Sequence, residues 1–204
     1  MFPRTLGLIV PFLFAFLAQT ALADKSTDFS NIGGALFGSS AGLSLTGSTL
    51  DAIAGLSGKP VMGNPGTVSF STGALMRGSL QMGGRFAGGG SFAIDGNGTN
   101  GVVDVVLFSG AFSGPVRWTL TTLANGTHNY TLTAVVTGTK GSTPVQGVTV
   151  QSTINPGKGF CNGSTSIAGG DTTMVSFVPE PSTLAMLSTG LVVIGGGIRR
   201  RLIG

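Results

Sequence analysis

The stretch that decides the fold class reads VRWTLTTLANGTHNYTLTAVVT over residues 116–137. Apolar side chains occupy every second position from Val116 to Leu120, and the same alternation returns over 129–137. A period of two residues is typical of strands that bury one face, because successive side chains point to opposite faces of a sheet. Asn125-Gly126 lies between the two segments and favours a tight turn. The stretch therefore predicts a β-hairpin.

The same pattern continues through the rest of the body, which we define as residues 24–177. Further strands are predicted at 42–50, 67–72, 75–82, 85–94, 102–108, 145–154 and 173–178. Turn dipeptides such as Asn64-Pro65 and Asp95-Gly96 separate several of these segments. About nine short strands at this spacing indicate an all-β fold, an antiparallel β-sandwich or jelly roll.

Some segments allow more specific predictions about the interior of the body. The almost continuous apolar run Val102–Phe108 predicts a central strand, and the alternation in 145–154 places Val148 and Val150 on the buried face. Thr49–Leu56 is compatible with a lone short helix. The residues predicted to pack between two sheets are Val105, Phe108, Trp118, Leu120, Tyr130 and Leu132.

The N-terminal segment, 1–23, has the three parts of a secretory signal peptide. Arg4 gives a positively charged start, residues 6–17 are apolar, and Ala21-Leu22-Ala23 forms a cleavage site with small residues at its first and third positions. An apolar stretch of about twelve residues is too short to anchor the chain in a bilayer. We therefore expect export and cleavage after Ala23.

The C-terminal segment, 178–204, also has three parts. Val178-Pro179-Glu180-Pro181-Ser182 is followed by an apolar run over 183–198 and by Arg199-Arg200-Arg201. The two prolines prevent regular structure and keep the segment extended, as a processing enzyme requires. The run predicts a transmembrane helix, and the arginines act as a stop on the cytoplasmic side. Because the run is short for a hydrocarbon core of about 30 Å, it suits a transient hold in the inner membrane.

The order of these three parts resembles the PEP-CTERM sorting signal. The resemblance covers about residues 178–202 and is joined by the expected signal peptide at the other end of the chain; the body itself resembles no characterised family. It implies recognition by a membrane-embedded exosortase, with cleavage near the Pro-Glu-Pro motif. It also implies a membrane-anchored precursor that is delivered to the cell surface or the extracellular space. The family is associated with Gram-negative bacteria that produce exopolysaccharide and biofilm matrix, so an exopolysaccharide is a candidate partner.

The charge of the body argues against a nucleic-acid partner. The pI of about 9.9 is high, but four of the 11 basic residues and one of the 7 acidic residues lie in the terminal segments. The remaining cations are spread singly along the sequence: Lys25, Lys59, Arg77, Arg85, Arg117, Lys140 and Lys158. Nucleic-acid binding needs clustered cations, because affinity grows with the number of phosphates that are neutralised together. A body this close to neutral has little charge repulsion, so we also expect self-association that depends little on salt.

Few residues of the body offer catalytic chemistry. The body contains no glutamate, so carboxylate catalysis would depend on aspartates such as Asp104 or Asp171 with a further partner. The single histidine, His128, has no recognisable nucleophile motif beside it. A carbohydrate-binding module would use Trp118 or Tyr130, although both lie at core-like positions. We expect no catalytic residue and no cofactor.

Two minor candidates complete the sequence-based predictions. Asp95, Asn97 and Thr99 present oxygen atoms at alternate positions, as a calcium loop does, but one formal charge binds a hard cation weakly. Cys161 is the only cysteine, so an internal disulfide is excluded, and the alternatives are an intermolecular bridge or a small residue in a turn. The sequence thus favours an exported, non-enzymatic surface or matrix protein, and the alternatives are a secreted hydrolase or a carbohydrate-binding module.

Overall fold

The computed structural model describes residues 26–56, 58–155 and 163–176, and every regular element in these ranges is a β-strand. The strands are β1 (Ser26–Ile32), β2 (Ala35–Ser39), β3 (Gly42–Ala54), β4 (Val61–Met62), β5 (Gly66–Ser71), β6 (Leu75–Ser79), β7 (Gly83–Phe86), β8 (Gly89–Gly96), β9 (Val106–Phe112), β10 (Val116–Thr122), β11 (His128–Lys140), β12 (Thr143–Asn155) and β13 (Gly163–Ser176). All their pairings are antiparallel. The predicted all-β antiparallel class is confirmed.

The strand pairings form a closed ring. From β3 the ring runs through β5, β8, β9, β11, β12 and β13. It returns to β3 through β1 and β2, which share one position: β2 pairs with Gly163–Ser166 of β13, and β1 pairs with 170–175. A ring of this kind has few unpaired strand edges, and the buried hydrophobic side chains of the described residues form one cluster.

A three-stranded wing extends from the ring. The first half of β11 pairs with β10, whereas the second half pairs with β9. β10 pairs with β7 and β7 with β6, so the wing consists of β10, β7 and β6. All thirteen strands belong to a single hydrogen-bonded sheet. The predicted division into a two-sheet sandwich or jelly roll is therefore not confirmed.

The predicted hairpin is confirmed as β10 and β11. Leu132 lies opposite Trp118, and Tyr130 lies opposite Leu120. The Gly126 amide donates to the carbonyl of Leu123 and closes the turn at 2.9 Å. The core predictions for Phe108, Trp118, Tyr130 and Leu132 are also confirmed, and Leu120 is partly buried against the same cluster.

The prediction of a central strand over Val102–Phe108 is wrong. β9 begins only at Val106, and the residues before it form a loop in which the Val102 amide donates to the carbonyl of Thr99. Val105, predicted to lie in the core, is 51% exposed. A run of valines therefore marked a loop followed by a strand, because apolarity alone does not fix where pairing begins.

The prediction of a short helix over Thr49–Leu56 is also wrong. This segment continues β3 as far as Ala54 and pairs with β1 and β4. Leu50 and Ile53 are both fully buried although they are three residues apart. Such spacing is helix-like in the sequence, but here a register shift in the β1–β3 pairing accommodates the additional residue Asp51.

The face of β12 that was predicted to be buried, with Val148 and Val150, faces outward in the structure. Val148 and Val150 are 49% and 37% exposed, whereas Thr149, Gln151 and Thr153 are fully or almost fully buried. The register between β11 and β12 imposes this phase, because Thr149 lies opposite Ala134 and Gln151 opposite Leu132. A shift by one residue exchanges the two faces of a strand, so the register decides which set is buried.

Two of the buried polar side chains of β12, Thr149 and Gln151, belong to a hydrogen-bonded network that crosses the interior. Asn31 Nδ2 donates to Gln151 Oε1 at 2.9 Å, and Gln151 Nε2 donates back to Asn31 Oδ1 at 3.1 Å. Asn31 Nδ2 also donates to Ser48 Oγ at 2.8 Å. Gln151 Nε2 donates to Thr149 Oγ1, which lies 2.9 Å from Thr172 Oγ1. Buried polar groups are tolerated where they are paired in this way, so the network offsets the loss of water.

We expect the two faces of the β11–β12 hairpin to respond differently to the same substitution. Val148→Thr should change the free energy of unfolding by less than about 0.5 kcal/mol, because its side chain is exposed. Val136→Thr should cost about 1–3 kcal/mol, because it places an additional hydroxyl in the apolar interior. Urea unfolding of both variants measures the difference. A larger loss of stability for Val148→Thr than for Val136→Thr would contradict the observed assignment of inward and outward side chains.

The sequence predictions for the two ends of the chain stay predictions, because the described residues do not include them. The signal peptide (1–23), the sorting motif, the run 183–198 and the arginine stop lie outside the described residues. In the ranges that the structure does describe, no helix has the length and apolarity to cross a membrane.

Candidate functional site

The outward face of the wing carries a row of three arginines. Arg77 of β6 lies opposite Arg85 of β7, and Arg85 lies opposite Arg117 of β10. Directly opposed residues of antiparallel strands share a face and are about 5 Å apart, so the three side chains start from adjacent points. All three are exposed. We call Arg77, Arg85 and Arg117 the arginine row.

The strand alternation explains why these side chains point outward. Arg117 stands between Val116 and Trp118, and Arg85 precedes Phe86; these apolar neighbours are all buried. Because side chains alternate along a strand, each buried neighbour forces the arginine beside it to the solvent face. The register then aligns cations that are 8 and 32 residues apart in the sequence.

A shallow groove lies beside the arginine row, on the outward face of β10, β11 and β12. Its volume is about 640 Å³. It is lined by Arg85, Pro115, Arg117, Thr119, Thr131, Thr133, Ala134, Val135 and Val148. Two guanidinium groups, threonine hydroxyls and two exposed valines thus face one concave surface.

The wing carries basic side chains but no acidic ones. The stretches 75–86 and 113–133, which build the wing and the start of β11, contain no Asp or Glu. Three aspartates, Asp28, Asp51 and Asp171, lie instead on β1, β3 and β13. Within the described residues, none of the arginines in the row has an ion-pair partner. This arrangement leaves their positive charge available to an external ligand.

The arginine row corrects one premise of the sequence analysis. The cations of the body are single in the sequence, but the fold brings three of them together. The sequence does contain part of the signal, because Arg85 and Arg117 both occupy outward positions of predicted strands. The pairing of those strands could not be read from the sequence, so the row was missed.

Trp118 and Tyr130 do not form an exposed aromatic strip. Their exposed fractions are 2% and 0%, and their rings stack with centroids 5.1 Å apart and planes inclined by 8°. Trp118 Nε1 donates to the carbonyl of Leu80 at 3.0 Å, and the Tyr130 hydroxyl donates to the carbonyl of Gln81 at 2.7 Å. The pair is a core element beneath the β6–β7 connection, so a sugar-binding site built on it is excluded.

The structure places the two candidate catalytic aspartates on different elements. Asp104 is an exposed residue of the loop before β9, and Asp171 is an exposed residue of β13. Asp171 lies opposite Ser30 of β1, which places it diagonally across from Asp28 on the outward face. Among the described residues, no three His, Cys, Asp or Glu side chains group as a metal site would require.

Of the three residues of the weak calcium candidate, Asp95 belongs to β8, and Asn97 and Thr99 lie in a hydrogen-bonded loop after it. Asn97 Oδ1 accepts from the Thr99 amide at 3.2 Å, and Asn97 Nδ2 donates to the carbonyl of Asn64 at 2.7 Å. Thr99 Oγ1 lies 2.6 Å from Asn97 Oδ1, and Asp95 is half-buried within β8. The side chains of Asn97 and Thr99 therefore already stabilise this loop, and calcium binding stays a prediction.

His128 has no catalytic partner among the described residues. His128 begins β11, and its Nδ1 lies 2.9 Å from Thr122 Oγ1 at the end of β10. This contact joins the two strands of the hairpin beside its turn. Cys161 falls outside the described residues.

Comparison with known protein families identifies a sorting motif at the C-terminal end of the sequence. Residues 177–201 match the PEP-CTERM protein-sorting motif, which confirms the resemblance found in the sequence. The match includes the segment Val178–Ser182, the apolar run and the three arginines. The motif implies export and exosortase-dependent sorting to the cell surface. Neither the curated proteins nor the solved structures give a significant match to the chain.

Proposed function

We propose that this chain is a non-enzymatic protein of the cell surface or extracellular matrix, placed there by an exosortase that processes its C-terminal tail. The observation that carries the proposal is the sorting motif at residues 177–201. The body adds a second support. Its closed antiparallel sheet presents an outward face of threonines, valines and arginines, which suits binding to an extended partner.

The proposed processing begins with the signal peptide and ends with the tail. Cleavage after Ala23 removes the signal peptide and leaves the body, residues 24–177, in the space beyond the inner membrane, while the run 183–198 holds the chain as a transmembrane helix. Arg199-Arg200-Arg201 keep the last residues on the cytoplasmic side, because arginine crosses a bilayer only at a high free-energy cost. The exosortase then removes the tail near Pro181, and the body joins the surface or the exopolysaccharide matrix of a biofilm.

The sorting motif is the part of the chain that tests this proposal. Replacing Pro179, Glu180 and Pro181 together by alanine should leave most of the protein in the membrane fraction, with its tail retained. The unchanged chain should instead yield a species that begins at Asp24 and ends near Pro181. Intact-mass measurement of the membrane and exported fractions distinguishes the two.

The control is Lys59→Ala, which changes an exposed loop residue of the body and leaves the tail intact. It should be processed as the unchanged chain is. If the triple variant loses its tail as readily as this control, the motif does not direct processing and the proposal fails.

Self-association also belongs to the proposal, but the strand edges argue against a route through edge pairing. Within the described strands, β6 is an outer edge of the wing, paired only with β7. It is five residues long, has a register shift between Leu75 and Arg77, and carries a charge at Arg77. Short length, irregular register and charge are the features by which natural proteins prevent edge pairing.

A further inference from the structure

We infer that the arginine row and the adjacent groove form a binding site for a polysaccharide that carries carboxylate groups. The inference rests on the proposed surface or matrix function and names the partner of that function. It is carried by the alignment of Arg77, Arg85 and Arg117 across β6, β7 and β10.

The chemistry of the row selects an oxyanion. Guanidinium groups present their N–H donors in a planar fork that matches a carboxylate, and they remain charged at every physiological pH. The wing has no acidic side chain that would occupy these forks, and none of the three forms an ion pair within the described residues. Three neighbouring arginines whose Cβ atoms start about 5 Å apart suit a ligand with repeated negative charges better than a single small anion.

The composition of the groove next to the row favours a carboxylated carbohydrate over other kinds of polyanion. Thr119, Thr131 and Thr133 place hydroxyl groups beside Arg85 and Arg117, and such groups exchange hydrogen bonds with sugar hydroxyls. Val135 and Val148 add a small apolar surface for the C–H faces of a sugar ring. The ligand is therefore expected to have both hydroxyl and carboxylate groups.

A nucleic acid fits this surface less well. Proteins that bind single strands stack bases on exposed aromatic rings, and the residues that line the groove include none. Trp118 and Tyr130 lie on the inward face of the same strands. Three cations also neutralise few phosphates, and affinity for nucleic acids falls steeply with that number.

Binding is tested with the full-length chain purified in an uncharged detergent. The probes are polygalacturonate as the carboxylated polysaccharide, dextran as a neutral polysaccharide, and oligothymidylate as a phosphate polymer. We expect measurable binding to polygalacturonate that weakens as salt is added, and much weaker binding to the other two. Preference for dextran or oligothymidylate would overturn the inference.

Substitutions in the row locate the site. An exposed ion pair changes a binding constant by a factor of about two to five. The triple variant Arg77→Gln, Arg85→Gln and Arg117→Gln should therefore bind polygalacturonate about tenfold or more weakly. Arg117→Gln and Lys59→Gln remove the same charge from two exposed sites, and only the first should weaken binding. Equal losses in these two variants would show that net charge rather than the row attracts the polymer, and would overturn the inference.

The outcome is separable from that of the proposed function. The thermal midpoint of the triple variant should equal that of the unchanged chain, because all three side chains are exposed. Its sorting and tail processing should also be unchanged. If the unchanged chain is sorted normally but does not bind polygalacturonate, only this inference fails. If the chain binds polygalacturonate but is not sorted, only the proposed function fails.

Discussion

Trp118→Ala should lower the free energy of unfolding by about 3–5 kcal/mol, the largest stability loss that we expect from a single substitution in this chain. The indole is 2% exposed, stacks on Tyr130 and donates to the carbonyl of Leu80. Truncation therefore leaves a cavity, removes an aromatic contact and deprives a carbonyl of its donor. For a domain of this size the expected fall in the thermal midpoint is roughly 6–20 °C.

Thr119→Ala is the matched control, because it truncates the next residue of β10 on the opposite, exposed face. It should change the free energy of unfolding by less than about 0.5 kcal/mol. Both variants are compared by thermal and urea unfolding of the full-length chain. An unchanged midpoint for Trp118→Ala would mean that the side chain is exposed in solution and would reopen the aromatic sugar-binding hypothesis.

Gln151→Leu should have the second-largest effect, a loss of about 2–4 kcal/mol, because an unpaired buried donor or acceptor costs about 1–3 kcal/mol. The substitution removes both hydrogen bonds between Gln151 and Asn31, and Asn31 is 1% exposed. Gly170 faces this pair so closely that a Cβ there would overlap the Gln151 amide. The network is thus tightly enclosed, and water has little room to replace the lost partner.

A double-mutant cycle measures the coupling within this pair. Asn31→Leu and the double variant with Gln151→Leu complete the cycle, and the double variant should lose less stability than the sum of the single ones. We expect an interaction energy of about 1–3 kcal/mol, because replacing both partners removes the unpaired groups together. Additive losses would mean that the two amides do not depend on each other in solution.

The hairpin formed by β10 and β11 was predictable because its information is local. Alternation from Val116 to Leu120 and over 129–137 defines the buried face, and Asn125-Gly126 supplies the turn. The burial of Trp118 and Leu132 follows from the same pattern. Local agreement of propensity, period and turn chemistry is what makes such a segment readable from the sequence.

The phase of β12 was not predictable, because it depends on a residue 120 positions away. Valine and threonine both favour strands, so in 145–154 the choice between two faces relied on apolarity alone. Asn31 supplies the partner that allows Gln151 to be buried, and it lies on β1. Neither β1 nor β2 was predicted as a strand, so the network could not be foreseen.

The arginine row illustrates the same limit for a functional site. The outward position of Arg85 and Arg117 follows from their buried neighbours, but the row exists only because β7 pairs with both β6 and β10. Strand order is set by non-local pairing, which composition and period do not encode. The sorting tail is the opposite case, because its motif, apolar run and arginines are contiguous and were readable directly.

The closed ring has a consequence for the order in which the chain can fold during export. Ser26, at the start of β1, lies opposite Val175 near the end of β13, so β1 can pair early with β3 but gains its second neighbour only when the last strand is present. A chain that crosses the membrane with its N-terminus first can form the β10–β11 hairpin before β13 has emerged, since hairpins close in microseconds. The ring itself can close only when β13 has crossed the membrane, and pairing of such distant segments is intrinsically slow. Release from the translocation machinery and completion of the fold are therefore coupled events. Under the function that we propose, the tail that follows β13 by a few residues holds the chain at the membrane during that interval.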